Sequence, residues 1–244
     1  MTIIDLRAPA KLTVTLRVTG VRNDGYHLID AEMVTLDLYD ELRVDPAGAG
    51  VVVTPESSIP VPSVIDPEDN LVAKALRLAD RTAGVELTKH IPAGAGLGGG
   101  SADAAAVLRW AGHHDLDAAA SIGADVAFCL VGGRARVRGI GELVDPLPFE
   151  PRTFTVVTPA IHCSTPAVYR RWDELGGPTV DGPNDLEPAA LAVAPELAAV
   201  RDALGDATGQ QPCLAGSGSS WFAEGAYPDA GRVLHTLPAD LELP

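Results

Sequence analysis

The sequence predicts a protein of mixed strands and helices in two parts. The first observation is an early set of segments in which apolar and polar residues alternate, as they do in half-buried antiparallel strands. The second is a glycine-rich loop, residues 92–103, that runs directly into an alanine-rich helix. The third is a break at Pro146, Pro148 and Pro151, after which a new strand begins near 154. We therefore expect a domain boundary between 151 and 152.

The elements of the first part follow from local patterns. Asn23-Asp24-Gly25 is strong turn chemistry after the first strand, and Asp69 or Asn70 is placed to cap a helix that ends near 79. Ser101 or Asp103 could cap the helix after the glycine loop. The predicted strands cover residues 3–18 (one strand, or two broken at Ala8-Pro9), 32–38, 41–45, 50–54, 85–91, 134–138 and 139–143. The predicted loops cover 55–68 and 112–122, and the second helix covers about 101–111.

The second part combines strands and capped helices. A strand at 154–158 is followed by a helix that starts at Ser164-Thr165-Pro166, with a hydroxyl cap and a proline in the first turn. Residues 184–187 suggest another capped turn. The remaining predicted elements are a helix at 195–205, a strand, glycine turn and strand over 214–223, a helix at 228–236 and a short strand at 241–243.

Composition limits the classes of partner. The chain has 244 residues and a formal net charge of −15, which argues against nucleic acid or an anionic membrane as a partner. An anionic ligand would need local cations such as Lys11, Lys89 or a helix N-terminus. Three widely separated cysteines, no membrane-spanning run and no signal-peptide pattern predict a cytoplasmic protein.

The glycine-rich loop is the strongest functional signal. Glycines let an anion approach main-chain N–H groups, and the helix that follows directs free N–H groups and its positive dipole end toward the loop. A phosphate site is therefore predicted, with a linker or tight turn as the alternative. No lysine follows as in a Walker loop, and the elements of a protein kinase are missing. The dinucleotide fingerprint does match at Gly94, Gly96 and Gly99, but no strand ending in an acidic residue follows at the right distance.

Four other features leave two readings open. Lys11 is either a solvated charge at a strand edge or a ligand-binding cation. Asp125, set among apolar residues, is either a helix cap or a catalytic carboxylate, because a buried carboxylate must be paired. Tyr26 and His27 either pack in a hairpin or bind a flat heterocycle. The cluster His113-His114-Asp115 is either solvated or a metal site.

Several motifs in order resemble those of GHMP kinases, which are small-molecule kinases. The glycine loop is similar to the family's Pro-x-x-x-Gly-Leu-Gly phosphate loop, and Asp24-Gly25-Tyr26-His27 resembles a motif of the family's isoprenoid-pathway member, which acts on a diphosphocytidyl alcohol. Other matching segments are Ala8-Pro9-Ala10-Lys11-Leu12, Gly123-Ala124-Asp125-Val126, Gly139-Ile140-Gly141-Glu142, Ser164-Thr165 with Val168-Tyr169, and Gly216-Ser217-Gly218. Together they run from residue 8 to about residue 222.

The resemblance implies a two-domain α+β GHMP kinase fold. Residues 1–151 would form an N-terminal ATP-binding domain like ribosomal protein S5 domain 2, and residues 152–244 a ferredoxin-like C-terminal domain. The active site would lie in the cleft between them. It would bind ATP, Mg²⁺ and a small-molecule substrate in a monomer or weak homodimer.

The resemblance also implies roles for individual residues. Asp125 would take the proton of the substrate's 2-hydroxyl group, and Lys11 beside it would keep that carboxylate ionised and neutralise the transferring phosphoryl group. The other substrate-binding residues would be Thr13, Tyr26, His27 and Thr165. ATP would contact Asn70, Pro92, Ala93, Gly94, Ala95, Gly96, Leu97, Gly98, Gly99, Gly100, Ser101 and Ala102, and Ser101 would also meet the Mg²⁺ carried by ATP.

Two departures from the family pattern bear on activity. The family usually has Asn where this chain has Thr13, so a substrate contact loses its amide, and the stretch between Trp110 and Gly123 is short by about one helix. Two alternatives follow, namely a GHMP kinase for another small alcohol and a degenerate nucleotide-binding protein.

Overall fold

The computed structural model describes residues 2–55 and 69–239. Nearly all of the predicted loop at 55–68 and the predicted strand at 241–243 lie outside these residues. Among the described residues, no helix combines the length and apolar character needed to cross a bilayer.

Two long strands form the frame of the first half. Strand β1 (Ile4–Val21) pairs antiparallel with β2 (His27–Asp45), and the Asn23-Asp24-Gly25 turn joins them. The predicted break at Ala8-Pro9 is a register shift between Pro9 and Lys11 within one continuous strand. Proline lacks an N–H group for the ladder, so a local irregularity is enough to accommodate it. Likewise the segments predicted at 32–38 and 41–45 belong to one strand.

The rest of the first half covers the β1–β2 frame. Strands β3 (Gly50–Pro55) and β4 (Gly84–Lys89) are parallel, as expected for two strands with a helix between them. Residues 112–122 are not a simple loop, because Asp115 caps a helix within them by accepting a hydrogen bond from the Ala118 N–H. The remaining elements are α1 (Leu71–Leu78), α2 (Gly99–Trp110), α3 (Leu116–Ile122), α4 (Val126–Val131), β5 (Arg134–Gly139) and β6 (Leu143–Pro146).

The second half contains a sheet with helices packed around it. Its elements are β7 (Thr153–Val157), α5 (Thr165–Glu174), α6 (Glu187–Val193), α7 (Leu197–Thr208), β8 (Cys213–Leu214), β9 (Trp221–Glu224) and β10 (Arg232–Leu237). The predicted helix at 228–236 is wrong, since β10 is a strand in which the buried Leu234 and Thr236 flank the exposed His235. It pairs with β7 on one side and with β2 on the other.

These pairings connect the strands of both halves. The order is β3-β4-β2-β10-β7-β9-β8, while β1 and β5 also pair with β2, and β6 pairs with β5. Strand β2 is the centre of this arrangement because its 19 residues are long enough to pair with different neighbours along their length. The chain is thus an α+β fold.

A small apolar cluster joins the two halves beneath the glycine loop. Leu12 of β1 and Leu97 of the loop meet Phe154 of β7 and Leu234 of β10 in this cluster, and each of these side chains is almost fully buried. Side chains alternate across a strand. Because Leu12 points into this cluster, its neighbours Lys11 and Thr13 project from the opposite face of β1, toward the cleft described next.

Candidate active site

A cleft of about 950 Å³ lies beside the glycine loop. Most of the residues predicted to bind ligands line it. They are Lys11, Thr13, Tyr26, His27, Asn70, Pro92, Ala93, Gly94, Ala95, Gly96, Gly98, Gly99, Gly100, Ser101, Asp125 and Thr165. Leu97 and Ala102 do not line it, because their side chains are buried in the core behind the loop.

The cleft brings together Lys11 and Asp125, which are 114 positions apart in the chain. Lys11 Nζ lies 3.2 Å from Asp125 Oδ2, and the lysine side chain is 5% exposed while that of the aspartate is 31% exposed. Lys11 Nζ also donates a hydrogen bond to Thr13 Oγ1 at 3.0 Å. Lys11 is therefore not a solvated edge charge. Asp125 occupies the N-cap position of α4 without making a side-chain cap bond, so its carboxylate is left for the ammonium and for a ligand.

The glycine loop is held by its carbonyl groups and its apolar side chains. Leu97 O accepts from the Lys11 N–H at 3.0 Å and Ala95 O accepts from the Ser220 N–H at 3.2 Å, while the Ala95 and Leu97 side chains are buried. No hydrogen bond within residues 2–55 and 69–239 uses the N–H groups of residues 94–98. These N–H groups, together with those at the start of α2, can bind an anion by donating hydrogen bonds to it.

Glycine is required in this loop for steric reasons. A Cβ added to Gly96 would come within 2.3 Å of Ala215 O, and one added to Gly98 would come within 2.7 Å of Lys11 Cγ. Both residues also have positive φ angles, +79° and +68°, which L-residues with a side chain rarely adopt. The loop is thus fitted against the turn at 215–218 and against the catalytic lysine candidate.

The predicted caps of α2 are wrong. The helix begins two residues before Ser101, with Gly98 in a left-handed conformation at the N-cap and no side-chain cap bond. Ser101 lies in the first turn and faces the cleft. Asp103 lies in the second turn, and its Oδ2 accepts from Lys89 Nζ at 2.6 Å. The uncapped helix start leaves its N–H groups open to a ligand.

Lys89 is not a free cation of the cleft. Its ammonium contacts both Asp40 and Asp103, and all three side chains are buried. Asp40 Oδ1 also accepts from the N–H groups of His90 and Ile91. Burial raises the pKa of Asp103 to about 8, against the lowering effect of Lys89. A Cβ on Gly99 would lie 3.1 Å from Lys89 Nζ, so this cluster supports the first turn of α2 from below.

Asn70 and Thr165 line the cleft as helix-terminus residues. Asn70 Oδ1 accepts from the N–H groups of Val72 and Ala73, so its side chain caps α1, as predicted. The hydroxyl groups of Thr165 and Ser217 share a hydrogen bond of 2.8 Å, which links α5 to the turn at 215–218. Asn184 holds the same turn, because its amide donates to the carbonyls of Leu214 and Gly216.

The turn residues Tyr26 and His27 both line the cleft. Tyr26 is 60% exposed, whereas His27 is held by α5: its ring centroid is 4.7 Å from that of Tyr169 and its Nε2 is 2.8 Å from Asp173 Oδ1. Burial, together with the Asp125 charge, raises the pKa of the Tyr169 hydroxyl above its usual range. Tyr169 belongs to a segment that resembles the family, but the sequence assigns it no role in the site, and no local pattern marks Asp173.

The cluster His113-His114-Asp115 shows no sign of a metal site. Asp115 is used as a cap and His114 is exposed. Across residues 2–55 and 69–239, no three His, Cys, Asp or Glu side chains are grouped so that they could hold a metal ion.

Comparison with known proteins agrees with this geometry. Residues 70–133 match the family model of the GHMP kinases N terminal domain. A crystal structure of a 4-(cytidine 5'-diphospho)-2C-methyl-D-erythritol kinase superposes with a TM-score of 0.75 at 32% identity, covering 96% of this chain and 99% of that one. A homoserine kinase from Cytophaga hutchinsonii, with a TM-score of 0.60 at 22% identity, shares the fold over 94% of this chain and 87% of its own.

Proteins related in sequence identify the branch of the family to which the chain belongs. The 4-diphosphocytidyl-2-C-methyl-D-erythritol kinase of Paracoccus denitrificans is 39% identical, over 93% of this chain and 89% of the relative. The kinase of the same name from Ruegeria pomeroyi is 38% identical, over 94% of this chain and 90% of the relative. The chain belongs to the 4-diphosphocytidyl-2-C-methyl-D-erythritol kinase family, a branch of the GHMP kinases.

Proposed function

We propose that this protein transfers the γ-phosphoryl group of ATP to the 2-hydroxyl group of 4-diphosphocytidyl-2-C-methyl-D-erythritol, a step in non-mevalonate isoprenoid precursor synthesis. The observation that carries the proposal is the contact of Lys11 Nζ and Asp125 Oδ2 at 3.2 Å beside the glycine loop. A cation and a carboxylate at the mouth of a phosphate-binding loop are what transfer of a phosphoryl group to an alcohol requires.

The chemistry assigns each group a separate task. Asp125 accepts the proton of the 2-hydroxyl group as the hydroxyl oxygen bonds to the γ-phosphorus. The bond from that phosphorus to the β–γ bridging oxygen breaks, and ADP leaves. Lys11 stabilises the charge on the transferring group, while the free N–H groups of residues 94–98 and the start of α2 bind the ATP phosphates.

The part of the cleft lined by Tyr26 and His27 suits the cytidyl part of the substrate. Tyr26 presents an exposed ring on which a base can stack, and His27 faces the cleft to bind the edge of that base. Arg170 also lines the cleft and has no carboxylate partner among the described residues, so it is suited to the substrate's diphosphate.

Mg²⁺ would arrive with the nucleotide. The described residues offer no cluster of three metal-ligating side chains, which fits a cation held mainly by ATP phosphates and water. Ser101 is the protein residue suited to contact it, because it lies in the first turn of α2 with a hydroxyl that makes no hydrogen bond to a described residue. The bound ion would neutralise charge on the β- and γ-phosphates.

We extend the proposal to the organisation of the chain. Residues 1–151 form the ATP-binding domain and residues 152–244 the C-terminal domain. The protein acts in the cytoplasm as a monomer or weak homodimer. Its net charge of −15 makes nucleic acid and anionic membranes unsuitable partners.

One observation favours a different alcohol as the substrate. Thr13 is 1% exposed. Its Oγ1 accepts a hydrogen bond from Lys11 Nζ. The usual asparagine amide is therefore missing from the substrate side, and a GHMP kinase for another small alcohol is the second candidate. The intact pair of Lys11 and Asp125 disfavours a degenerate, non-catalytic protein.

ADP release from the purified protein tests the assignment. With ATP and Mg²⁺, the diphosphocytidyl alcohol should give turnover well above that with homoserine, mevalonate or simple sugars. Preference for one of the other alcohols would favour the second candidate. ATP binding without turnover on any alcohol would overturn both kinase assignments.

A further inference from the structure

Next to His27 the cleft contains a carboxylate, Asp173, that takes no part in the phosphoryl transfer. Asp173 is the ninth residue of α5 and lines the cleft. Its Oδ1 lies 2.8 Å from His27 Nε2, with the histidine side chain 11% exposed and that of the aspartate 48% exposed. The contact joins residues that are 146 positions apart.

Two rings of the same helix hold the imidazole in one orientation. Tyr169 lies against its face, with ring centroids 4.7 Å apart and planes tilted by 35°. Trp172 meets it edge-on, with centroids 5.6 Å apart and an angle of 83°. The imidazole therefore cannot rotate freely, and Asp173 remains opposite the Nε2 atom.

This arrangement determines which ring nitrogen carries the proton. A carboxylate can only accept hydrogen bonds, so Nε2 must be the N–H that donates to Asp173. In a neutral imidazole the other nitrogen, Nδ1, then has a bare lone pair and acts as an acceptor. His27 Nδ1 makes no hydrogen bond to any residue in 2–55 or 69–239, and His27 lines the cleft.

A bare acceptor distinguishes pyrimidine bases. Cytosine presents an exocyclic 4-amino group, which can donate to Nδ1, whereas uracil presents a carbonyl oxygen at that position. Two acceptors facing each other leave both without a partner, and such a mismatch is a strong basis for rejecting an analogue.

We infer that Asp173 is a positioning residue that makes the site select cytosine over uracil, by holding His27 as the Nε2–H tautomer with Nδ1 bare. The inference rests on the proposed function for the assignment of the base to the part of the cleft that His27 lines. Asp173 does not contact the reacting groups and acts through His27 alone.

Binding of CDP and UDP tests the inference without requiring turnover. The ATP site of the full chain is first saturated with a non-hydrolysable ATP analogue, so that titration of CDP or UDP by calorimetry reports the substrate cleft. The wild type should bind CDP about tenfold more tightly than UDP or better. Asp173→Ala should bring the ratio of CDP affinity to UDP affinity close to one, mainly by weakening the binding of CDP.

Glu174→Ala is the matched control. It removes the next carboxylate of α5, which pairs with Arg171 at 2.9 Å and does not line the cleft, so it should keep the wild-type ratio. In a His27→Ala background, adding Asp173→Ala should leave the ratio unchanged. Asp173 is half exposed. Asp173→Asn keeps a side-chain oxygen that can accept a hydrogen bond from the Nε2–H group, so this variant should retain part of the preference for CDP.

The imidazole ¹⁵N shifts give a second readout. The wild type should show a protonated Nε2 and a bare Nδ1, and Asp173→Ala should show a mixture of tautomers. An unchanged ratio in Asp173→Ala, or a protonated Nδ1 in the neutral wild type, overturns the inference and leaves the kinase assignment intact. If the wild type releases no ADP but prefers CDP over UDP, and Asp173→Ala removes that preference, the inference is supported while the kinase assignment fails.

Discussion

Two lysines lie next to the glycine loop, and their surroundings give them different uses. Lys11 faces one carboxylate, Asp125, which is partly open to the cleft. Lys89 faces Asp40 and Asp103, both buried. One ammonium can balance one buried carboxylate, so the second is driven toward its neutral form. Lys11 is therefore available to a phosphoryl group. Lys89 instead stabilises the buried cluster that supports the first turn of α2.

Asp103→Asn should flatten the pH dependence of folding. Burial raises the pKa of Asp103 from 3.8 to about 8, so the folded chain holds this proton more tightly than the unfolded chain. The stability gained from this group is complete below about pH 4 and is lost as the pH rises toward about 8. The variant's free energy of unfolding should fall less steeply over that range.

Urea unfolding at several pH values between 5 and 8 measures how steeply the free energy of unfolding depends on pH. Asp117 is an exposed residue in the first turn of α3. Asp117→Asn is the control and should keep the pH dependence of the wild type. The account of the buried cluster is contradicted if Asp103→Asn and the wild type lose stability in parallel.

Among the elements, the glycine loop combines two functions. Ala95 and Leu97 hold it to the core by side chains and carbonyl groups. The intervening glycines turn the backbone so that its N–H groups remain free. Because the loop is packed against Ala215 and Gly218 of the second half, its shape depends on how the halves fit together.

Gly96→Ala should weaken ATP binding by about tenfold or more, because the new Cβ would come within 2.3 Å of Ala215 O and the loop must move. Gly112→Ala is the matched control, since Gly112 has a similar φ of +73° but open space around it. Both variants carry a backbone cost of about 1–2 kcal/mol for the left-handed conformation.

Calorimetric titration with ATP, together with thermal unfolding, separates the two effects. The control should lose stability and keep its ATP affinity. Equal ATP affinities in the two variants would mean that the close fit between the loop and the turn at 215–218 is not required for binding.

For the molecule as a whole, strand β10 and the apolar cluster beneath the loop make one folding unit of the two halves. Leu234 brings β10 into that cluster with Leu12 of the first half and Phe154 of the second. A core shared in this way couples the unfolding of both halves.

Leu234→Ala should lower the free energy of unfolding by about 2–5 kcal/mol, as is usual for truncation of a buried leucine, in a single transition. Far-ultraviolet circular dichroism and tryptophan fluorescence should report the same urea midpoint. Leu143 is 48% exposed, so Leu143→Ala should change the urea midpoint little. Separate midpoints for the two signals would contradict the shared core.

Local signals were sufficient for the elements whose ends are set by nearby residues. The cap at Asn70 and the Asn23-Asp24-Gly25 turn are confirmed, because each depends on contacts or geometry within a few positions. Helix α5 begins after Ser164 as predicted, but the Ser164 hydroxyl makes no cap hydrogen bond. The start of α2 was missed by two residues, since the left-handed Gly98 ends the loop without a side-chain cap.

Features that depend on distant partners could not be read locally. The short apolar pattern of β10 fits a helix or a strand, and its pairing with β2 and β7 decides the outcome. The burial of Lys89 and the contact of Asp173 with His27 likewise arise only when distant segments meet. The sequence predicts the pairing of Lys11 with Asp125 only through the resemblance of its motif order to that of a known family.

The central claim is that Asp125 removes the proton of the substrate alcohol beside Lys11 and the glycine loop. The most direct measurement is the rate of ADP release from the diphosphocytidyl alcohol by Asp125→Asn, with ATP affinity measured in parallel. We expect kcat to fall by about 10²–10⁴, the usual loss of a general base, while ATP still binds. Turnover at the wild-type rate in this variant would contradict the claim.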